Sequence, residues 1–294
     1  MCGSCWAFAV ASALASRFRI AGVDADELSA QRLIVCALPP VDCGKGSRGG
    51  ASPDCSEMLS TSCDGNSLKE AWTYLRDWGT VREGCSPYVS GGASPCEPAA
   101  QPALRSMCMT MYGQGFDRCP VDADRNPYNG VDALVPRTHP LYCASSAYSL
   151  PNNERVIRAE ILSRGPVTTG MTVYGDFKRF NSPDAVYARR DGTGRCLEGH
   201  SLVLVGWGET ADGEKYWIAQ NTWGTGWADK GCFRIRRGTN ECAVEQGVVA
   251  GFADVAPFGA EARWDGELAG ALESALEGVR EHVAPTLTAM PVGY

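Results

Sequence analysis

Three residues far apart in this chain fit one kind of chemistry: a thiol, an imidazole and a side-chain amide. Cys5 lies in Met1-Cys2-Gly3-Ser4-Cys5-Trp6-Ala7-Phe8, directly ahead of a long run of helix formers. A cysteine in the first turn of a helix sits among unpaired backbone N–H groups at the positive end of the helix dipole, which favours thiolate over thiol. Such a nucleophile needs a base, and the chain has 3 histidines. His282 falls in a C-terminal stretch patterned as a helix, and His139 in a proline-flanked loop. His200 instead follows Gly199 at the head of the apolar run Ser201–Gly208, where a rigid strand start can hold an imidazole towards a groove. Further on comes Asn221-Thr222-Trp223-Gly224, whose amide can accept the other ring N–H and whose indole can shield that bond from water. Together these make a nucleophile, a base and an orienting group.

The elements that must position these groups differ between the two halves of the chain. From Cys5 to Ile20 the spacing of Trp6, Val10, Leu14 and Phe18 predicts a buried central helix, stopped at Gly22. Asp26–Cys36 reads as a second helix, Ser67–Trp78 as a third closed by Gly79, and Asn152–Arg164 as a fourth ended by Gly165-Pro166. Residues 39–62 and 84–140 are rich in glycine, proline and cysteine and read as bridged loops. The period then changes. Val167–Tyr174, Ser201–Gly206, Lys215–Asn221, Gly231–Arg236 and Gln246–Phe252 are short apolar runs between glycines, as expected for an antiparallel sheet. The expectation is an α+β fold: a helical domain over 1–106, a sheet-rich domain over 107–257 and a groove between them. In the extension 258–294, Trp264, Leu268, Leu272, Leu276, Val279 and Val283 predict one amphipathic helix.

Composition narrows the classes of function. At 294 residues and 44% hydrophobic the chain can bury a core, and a net charge of −7 argues against nucleic-acid binding. No run of about 18 apolar residues predicts a membrane span. The 14 cysteines are scattered rather than set at zinc spacing, which predicts disulfides in an oxidising compartment, lysosomal, endosomal or extracellular. No signal peptide opens the sequence as written, which reads as cut at its front.

These residues resemble the papain family of cysteine proteases, and within it the cathepsin B-like branch. The resemblance rests on CGSCWAF at 2–8, GHSLVLVGWG at 199–208 and YWIAQNTWGTGWADKGCFRIRRGTNECAVEQGVVAG at 216–251. It implies a papain-like two-domain fold with Cys5 as nucleophile, His200 as general base and acid, Asn221 as orienter and Trp223 as its cover. It assigns Gly3, Ser4, Trp6, Asp64, Gly65, Asn66, Gly199 and Gly247 to the substrate-binding walls. It also implies disulfides Cys2–Cys63 and Cys196–Cys242, with Cys36–Cys108 as a further pair. With Cys5 free, at least one other cysteine must be unpaired, and Cys232 is the candidate. Implied partners are peptide or protein substrates and cystatin-like inhibitors, with a monomeric protein and no cofactor or metal.

The departures from the family pattern carry expectations of their own. The family's oxyanion glutamine would precede Met1, and losing such a donor typically costs about 10²–10³ in rate. Pro98 and Ala99 stand where cathepsin B has two histidines that hold a substrate's terminal carboxylate, which predicts an endopeptidase. Gly247 replaces the glutamate at the floor of the second subsite, so that pocket should prefer bulky apolar residues to arginine. Asn66 stands at the substrate-pairing edge where a glycine is usual, and its side chain is expected to crowd substrate. A non-catalytic peptide-binding homologue is the competing reading. A redox or zinc role for Cys2-Gly3-Ser4-Cys5 has neither a thioredoxin-like βαβ pattern nor a second ligand pair behind it.

Overall fold

The computed structural model describes residues 2–37, 65–85, 88, 141–190, 195–259 and 282–283. Helix α1 spans Cys5–Ile20, as its pattern predicts. It is buried all round rather than along one stripe: Trp6, Val10, Leu14 and Phe18 are closed to solvent, and so are Ala7, Ala9 and Ala13. Its alanines present no bulk, so helices and sheet can approach from every side. Gly22, at φ 83°, ends it.

Helix α2 is shorter than expected, Ala30–Cys36. The predicted start at Asp26 fails because Leu28 bridges Arg82 and the Ser29 N–H donates to the Val81 carbonyl at 2.7 Å. The Ser29 side chain then accepts from the Arg32 N–H and caps the helix. Helix α3 (Leu68–Asp77) is capped by Ser67 and buries Trp72 and Leu75. Helix α4 (Glu154–Arg164) is capped by Asn153, which accepts from the Arg155 and Val156 N–H groups. It ends at Gly165, whose φ of 97° would strain any residue with a side chain.

The strands are β1 (Tyr148–Ser149), β2 (Val167–Val173), β3 (Val186–Tyr187), β4 (Glu198–Glu209), β5 (Lys215–Gln220), β6 (Cys232–Arg236), β7 (Val249–Ala250) and β8 (His282–Val283). They form one sheet in the order β1-β7-β2-β4-β5-β6-β3, with β8 against β4. The sheet departs from the antiparallel expectation at one edge, where β3 pairs β6 in parallel. The C-terminal helix expectation also fails at its end. Val283 pairs with Gly206 and His282 with Trp207, while residues 260–281 lie outside the described residues. The physical reason is a free edge: β2 stops pairing at Leu204, and β4 runs on with its far side occupied by β5. Backbone groups left open there reward a strand more than a helix.

Two hydrophobic cores result. One gathers α1, α2 and α3 with Val203, Val205 and Val249; the other lies between α4 and the sheet around Trp207, Trp217 and Phe233. Arg17, on the otherwise apolar α1, ties them together. Its guanidinium donates to the carbonyls of Pro166 (2.9 Å), Gly165 (3.2 Å) and Gly251 (3.0 Å), to Tyr148 Oη (3.2 Å) and to Glu160 Oε1 (2.9 Å). Burial alone would raise the Glu160 pKa, but Arg17, Tyr148 and Arg164 outweigh it and hold the carboxyl below its ordinary value. Among the described residues no helix is long and apolar enough to cross a membrane.

The cysteines only partly follow the implied pairing. Cys2, Cys143 and Cys196 are disulfide-bonded. Cys63, the implied partner of Cys2, lies outside the described residues, as do Cys108 and the side chain of Cys36. The Cys196–Cys242 pair is not formed. Cys242 is a free thiol on a left-handed backbone (φ 51°), and its Sγ lies 3.6 Å from Glu241 Oε1 in a hydrogen bond. Cys232 is free, as expected.

Arg17 and Glu160 are each almost fully buried, so removing Arg17 leaves Glu160 buried with one cation, Arg164, in place of two and strips four other acceptors of their donor. Arg17→Ala is expected to lower stability by about 3–5 kcal/mol in urea titrations. Because the folded Glu160 pKa is depressed, its contribution is present above the unfolded carboxylate pKa and is lost as pH falls through the folded value. The stability of the parent chain should therefore fall more steeply on acidification than that of Glu160→Gln.

Candidate active site

The site is assembled where the start of α1 meets the start of β4. No side chain caps α1; the Ser4 hydroxyl turns instead to the Tyr88 hydroxyl (3.3 Å) and the Cys2 carbonyl (3.5 Å). The positive helix end is thus left open beneath Cys5. Strand β4 carries His200 opposite Met171 of β2. Across the other side of β4 the ladder pairs Val203 with Gln220, so the chain leaving β5 at Asn221 passes beside His200. Asn221 is fixed from two sides: its N–H donates to the Gly231 carbonyl (2.8 Å), and its Oδ1 accepts from the Thr222 N–H (2.8 Å).

From that position Asn221 Oδ1 lies 2.7 Å from His200 Nε2. An amide oxygen can only accept, so Nε2 carries the proton and Nδ1 is the ring nitrogen available to the thiol. The indole of Trp223 lies over the imidazole at a centroid separation of 5.3 Å and is itself held by Phe177 and Trp227. His200 is 8% exposed and Asn221 2%, so their hydrogen bond is shielded from water.

Cys5 and His200 interact directly, and each shifts the other's titration. Burial pushes the Cys5 thiol up, but the hydrogen bond and charge of His200, followed by hydrogen bonds from the Ser201 backbone and side chain, bring it below 9.0. Burial pulls the imidazole down, but Cys5, then the Asn221 hydrogen bond and the Glu198 charge, raise it above 6.5. Opposite shifts of this kind favour a thiolate–imidazolium pair. In such a pair the nucleophile is already deprotonated and the acid protonated, which is the state that thiol attack requires.

Residues 1–252 match the family model for papain family cysteine proteases. The chain belongs to the papain family. Its relatives include cathepsin B-like protease 1 of Arabidopsis thaliana, 34% identical over 257 residues, and cathepsin B-like cysteine proteinase 4 of Caenorhabditis elegans, 35% identical over 262. The aligned parts cover 85% and 86% of this chain but 55% and 69% of those proteins. Among solved structures, procathepsin B S9 from Trypanosoma congolense superposes with a TM-score of 0.57 at 26% identity, covering 86% of this chain and 69% of that one. The papain-like α+β fold is thereby shown.

The other residues assigned to the site from the papain-family pattern are dispersed around this centre. Gly3 is exposed, Ser4 is buried against Tyr88, and Trp6 is fully closed into the helical core. Gly199 precedes His200 on β4 and pairs with Thr172. Asp64 lies outside the described residues, while Gly65 is buried with φ 114°. The expectation that Asn66 crowds substrate finds an alternative: its Nδ2 donates to the Ala37 carbonyl (3.1 Å) and its Oδ1 accepts from the Ser67 N–H (2.7 Å). Gly247 is exposed at φ 74° with nothing within 4 Å of where a Cβ would stand. Sequence reasoning missed Ser201 and Glu198. The only signal for them is their position, flanking the Gly199-His200 pair, and neither residue type announces a role by itself.

The free thiols differ sharply in environment. Burial, then Asp229, pushes Cys232 up to about 11, and burial, then Glu241, pushes Cys242 up to about 12. Brief iodoacetamide treatment near neutral pH should therefore modify Cys5 and spare Cys232 and Cys242, as read by peptide mass mapping. Equal modification of the three would contradict the thiolate assignment.

Proposed function

We propose that this papain-family chain is a cysteine endopeptidase that works by acyl transfer. The observation that carries the reading is the series Cys5, His200 and Asn221, with the imidazole held by Asn221, the thiol shifted down and the imidazole up. The Cys5 thiolate attacks the carbonyl carbon of a peptide bond, and the electron pair of the carbonyl moves onto its oxygen. As that oxyanion collapses, the C–N bond breaks and the His200 imidazolium gives its proton to the leaving amine. A thioester on Cys5 remains. His200, now neutral, takes a proton from water as the water attacks the thioester, and a second collapse releases the acid and restores the thiolate–imidazolium pair. Asn221 keeps the ring in the plane and tautomer these transfers need, and Trp223 excludes competing water.

Gly247 supports an apolar preference in the second subsite, since no carboxylate stands there to meet an arginine and the space beside its Cα is open. Pro98 and Ala99 support endopeptidase rather than dipeptide-releasing activity, since neither bears the cation a terminal carboxylate would need. Oxidised Cys2, Cys143 and Cys196 support an endolysosomal or extracellular location.

The test uses fluorogenic peptides and the variants Cys5→Ala and His200→Ala. Cys5→Ala should abolish turnover, and His200→Ala should lower kcat/KM by about 10²–10⁴. Among substrates that differ only at the second residue before the cut, Phe or Leu should exceed Arg in kcat/KM by about tenfold or more. Tight peptide binding with no turnover in the parent chain would sink the enzyme reading in favour of a non-catalytic binder.

A further inference from the structure

Tyr88 grips the first turn of α1 on both flanks of Cys5. Its hydroxyl is hydrogen-bonded to Ser4 Oγ at 3.3 Å, and its ring meets Phe8 edge to face, with centroids 4.9 Å apart at 73°. Ser4 and Phe8 are four residues apart, so they lie one above the other on a single face of the helix, with Cys5 at the next position round. Ser4 also opens the helix, its carbonyl accepting from the Ala7 (3.0 Å) and Phe8 (3.3 Å) N–H groups. Both Ser4 and Phe8 are buried, and Tyr88 packs against the helical core. Tyr88 is itself held: its N–H donates to Glu83 Oε1, and the Glu83 N–H donates to the Glu27 carbonyl at 2.7 Å, beside the Leu28–Arg82 bridge. The grip therefore runs from the body of the protein through Glu83 and Tyr88 to the turn that carries Cys5.

We propose that Tyr88 is a positioning residue for the nucleophile: by holding Ser4 with its hydroxyl and Phe8 with its ring, it sets the rotation of the first turn of α1 and so the direction in which Cys5 Sγ meets His200. Turning that part of the helix about its axis would swing the sulfur past the imidazole, and it would also pull Ser4 and Phe8 off Tyr88. The ring contact is broad and tolerates small slips, whereas the hydroxyl bond is directional and fixes the angle. Displacement of a reacting group by about 1 Å can cost on the order of 10² in rate, so a smaller slip already registers. The ionisable groups around this arrangement are His200, Glu198, which acts on His200 and pairs with Lys178 Nζ at 3.0 Å, and Glu83, whose carboxyl is held above its ordinary value by burial, with Glu27 adding to it. All of them are kept in the variants below.

The inference rests on the thiolate–imidazolium reading, and its test separates the two. The measurement is the pH dependence of Cys5 alkylation by iodoacetamide, which needs no substrate turnover, in the parent chain, Tyr88→Phe, Ser4→Ala and the double variant. Tyr88→Phe keeps the ring on Phe8 and removes only the hydroxyl; Ser4→Ala breaks the same bond from its other end. Each should raise the midpoint of the acid limb by about half a pH unit or more, because a sulfur turned from the imidazole is a poorer anion. The double variant should show the shift of one change and not the sum of two. In peptide hydrolysis Tyr88→Phe should lower kcat by about tenfold with KM nearly unchanged. A depressed parental midpoint that neither single change moves, whatever either does to urea stability, overturns the role of Tyr88 alone. A shift in one single variant but not the other, or shifts that add in the double variant, overturns it as well, since the bond between the two hydroxyls would then not be the cause. A parent chain whose Cys5 titrates as an ordinary thiol overturns both the role of Tyr88 and the protease reading.

Discussion

Neither Cys5 nor His200 would hold a charge easily on its own, because both sit where burial penalises the ionised form. Each becomes ionisable chiefly through the other, since a thiolate and an imidazolium in contact offset the desolvation that either would suffer alone. That mutual dependence places a strict demand on the fold. The sulfur comes from the first turn of α1 and the ring from the start of β4, so the two elements must meet in one register. The Asn221 contact at 2.7 Å completes the demand by deciding which ring nitrogen faces the sulfur.

Much of the rest of the molecule can be read as meeting that demand. The alanines of α1 let the sheet and helices close around it, which fixes the direction of the helix axis and so of Cys5. Arg17, three turns along the same helix, is gripped by carbonyls from the α4–β2 turn and the chain after β7, and by Glu160. It satisfies backbone groups that would otherwise be buried without partners, and it ties the helical core to the sheet core. Gly165 makes the turn between α4 and β2 at φ 97°, a backbone that any side chain would strain. On the sheet side, the packing of Phe177, Trp223, Trp227 and Phe233 holds the indole over His200.

What could be read from the sequence follows from how local each signal is. Helix α1 was legible to the residue, because an unbroken run of helix formers between Ser4 and Gly22 leaves no rival. The chemistry-bearing residues were legible because Cys5, His200 and Asn221 each lie in a distinctive string. The start of α2 was not legible, since the Ser29 cap is set by a bridge from Leu28 to a residue 54 positions away, Arg82. The fate of His282–Val283 was hidden for the same reason: a helical period is a local signal, while the open edge of β4 is a tertiary one. Cys242 is a third case. A pattern of cysteines does not show the left-handed backbone that turns its sulfur towards Glu241 and away from a disulfide.

The coupling of Cys5 and His200 is the claim on which the account stands, and the titration of the His200 ring reports it directly. NMR of the labelled imidazole in the parent chain and in Cys5→Ala provides the comparison. The account predicts a midpoint above 6.5 in the parent that falls when the sulfur is removed, since burial then acts on the ring without its partner. A midpoint that is the same in both proteins would contradict it.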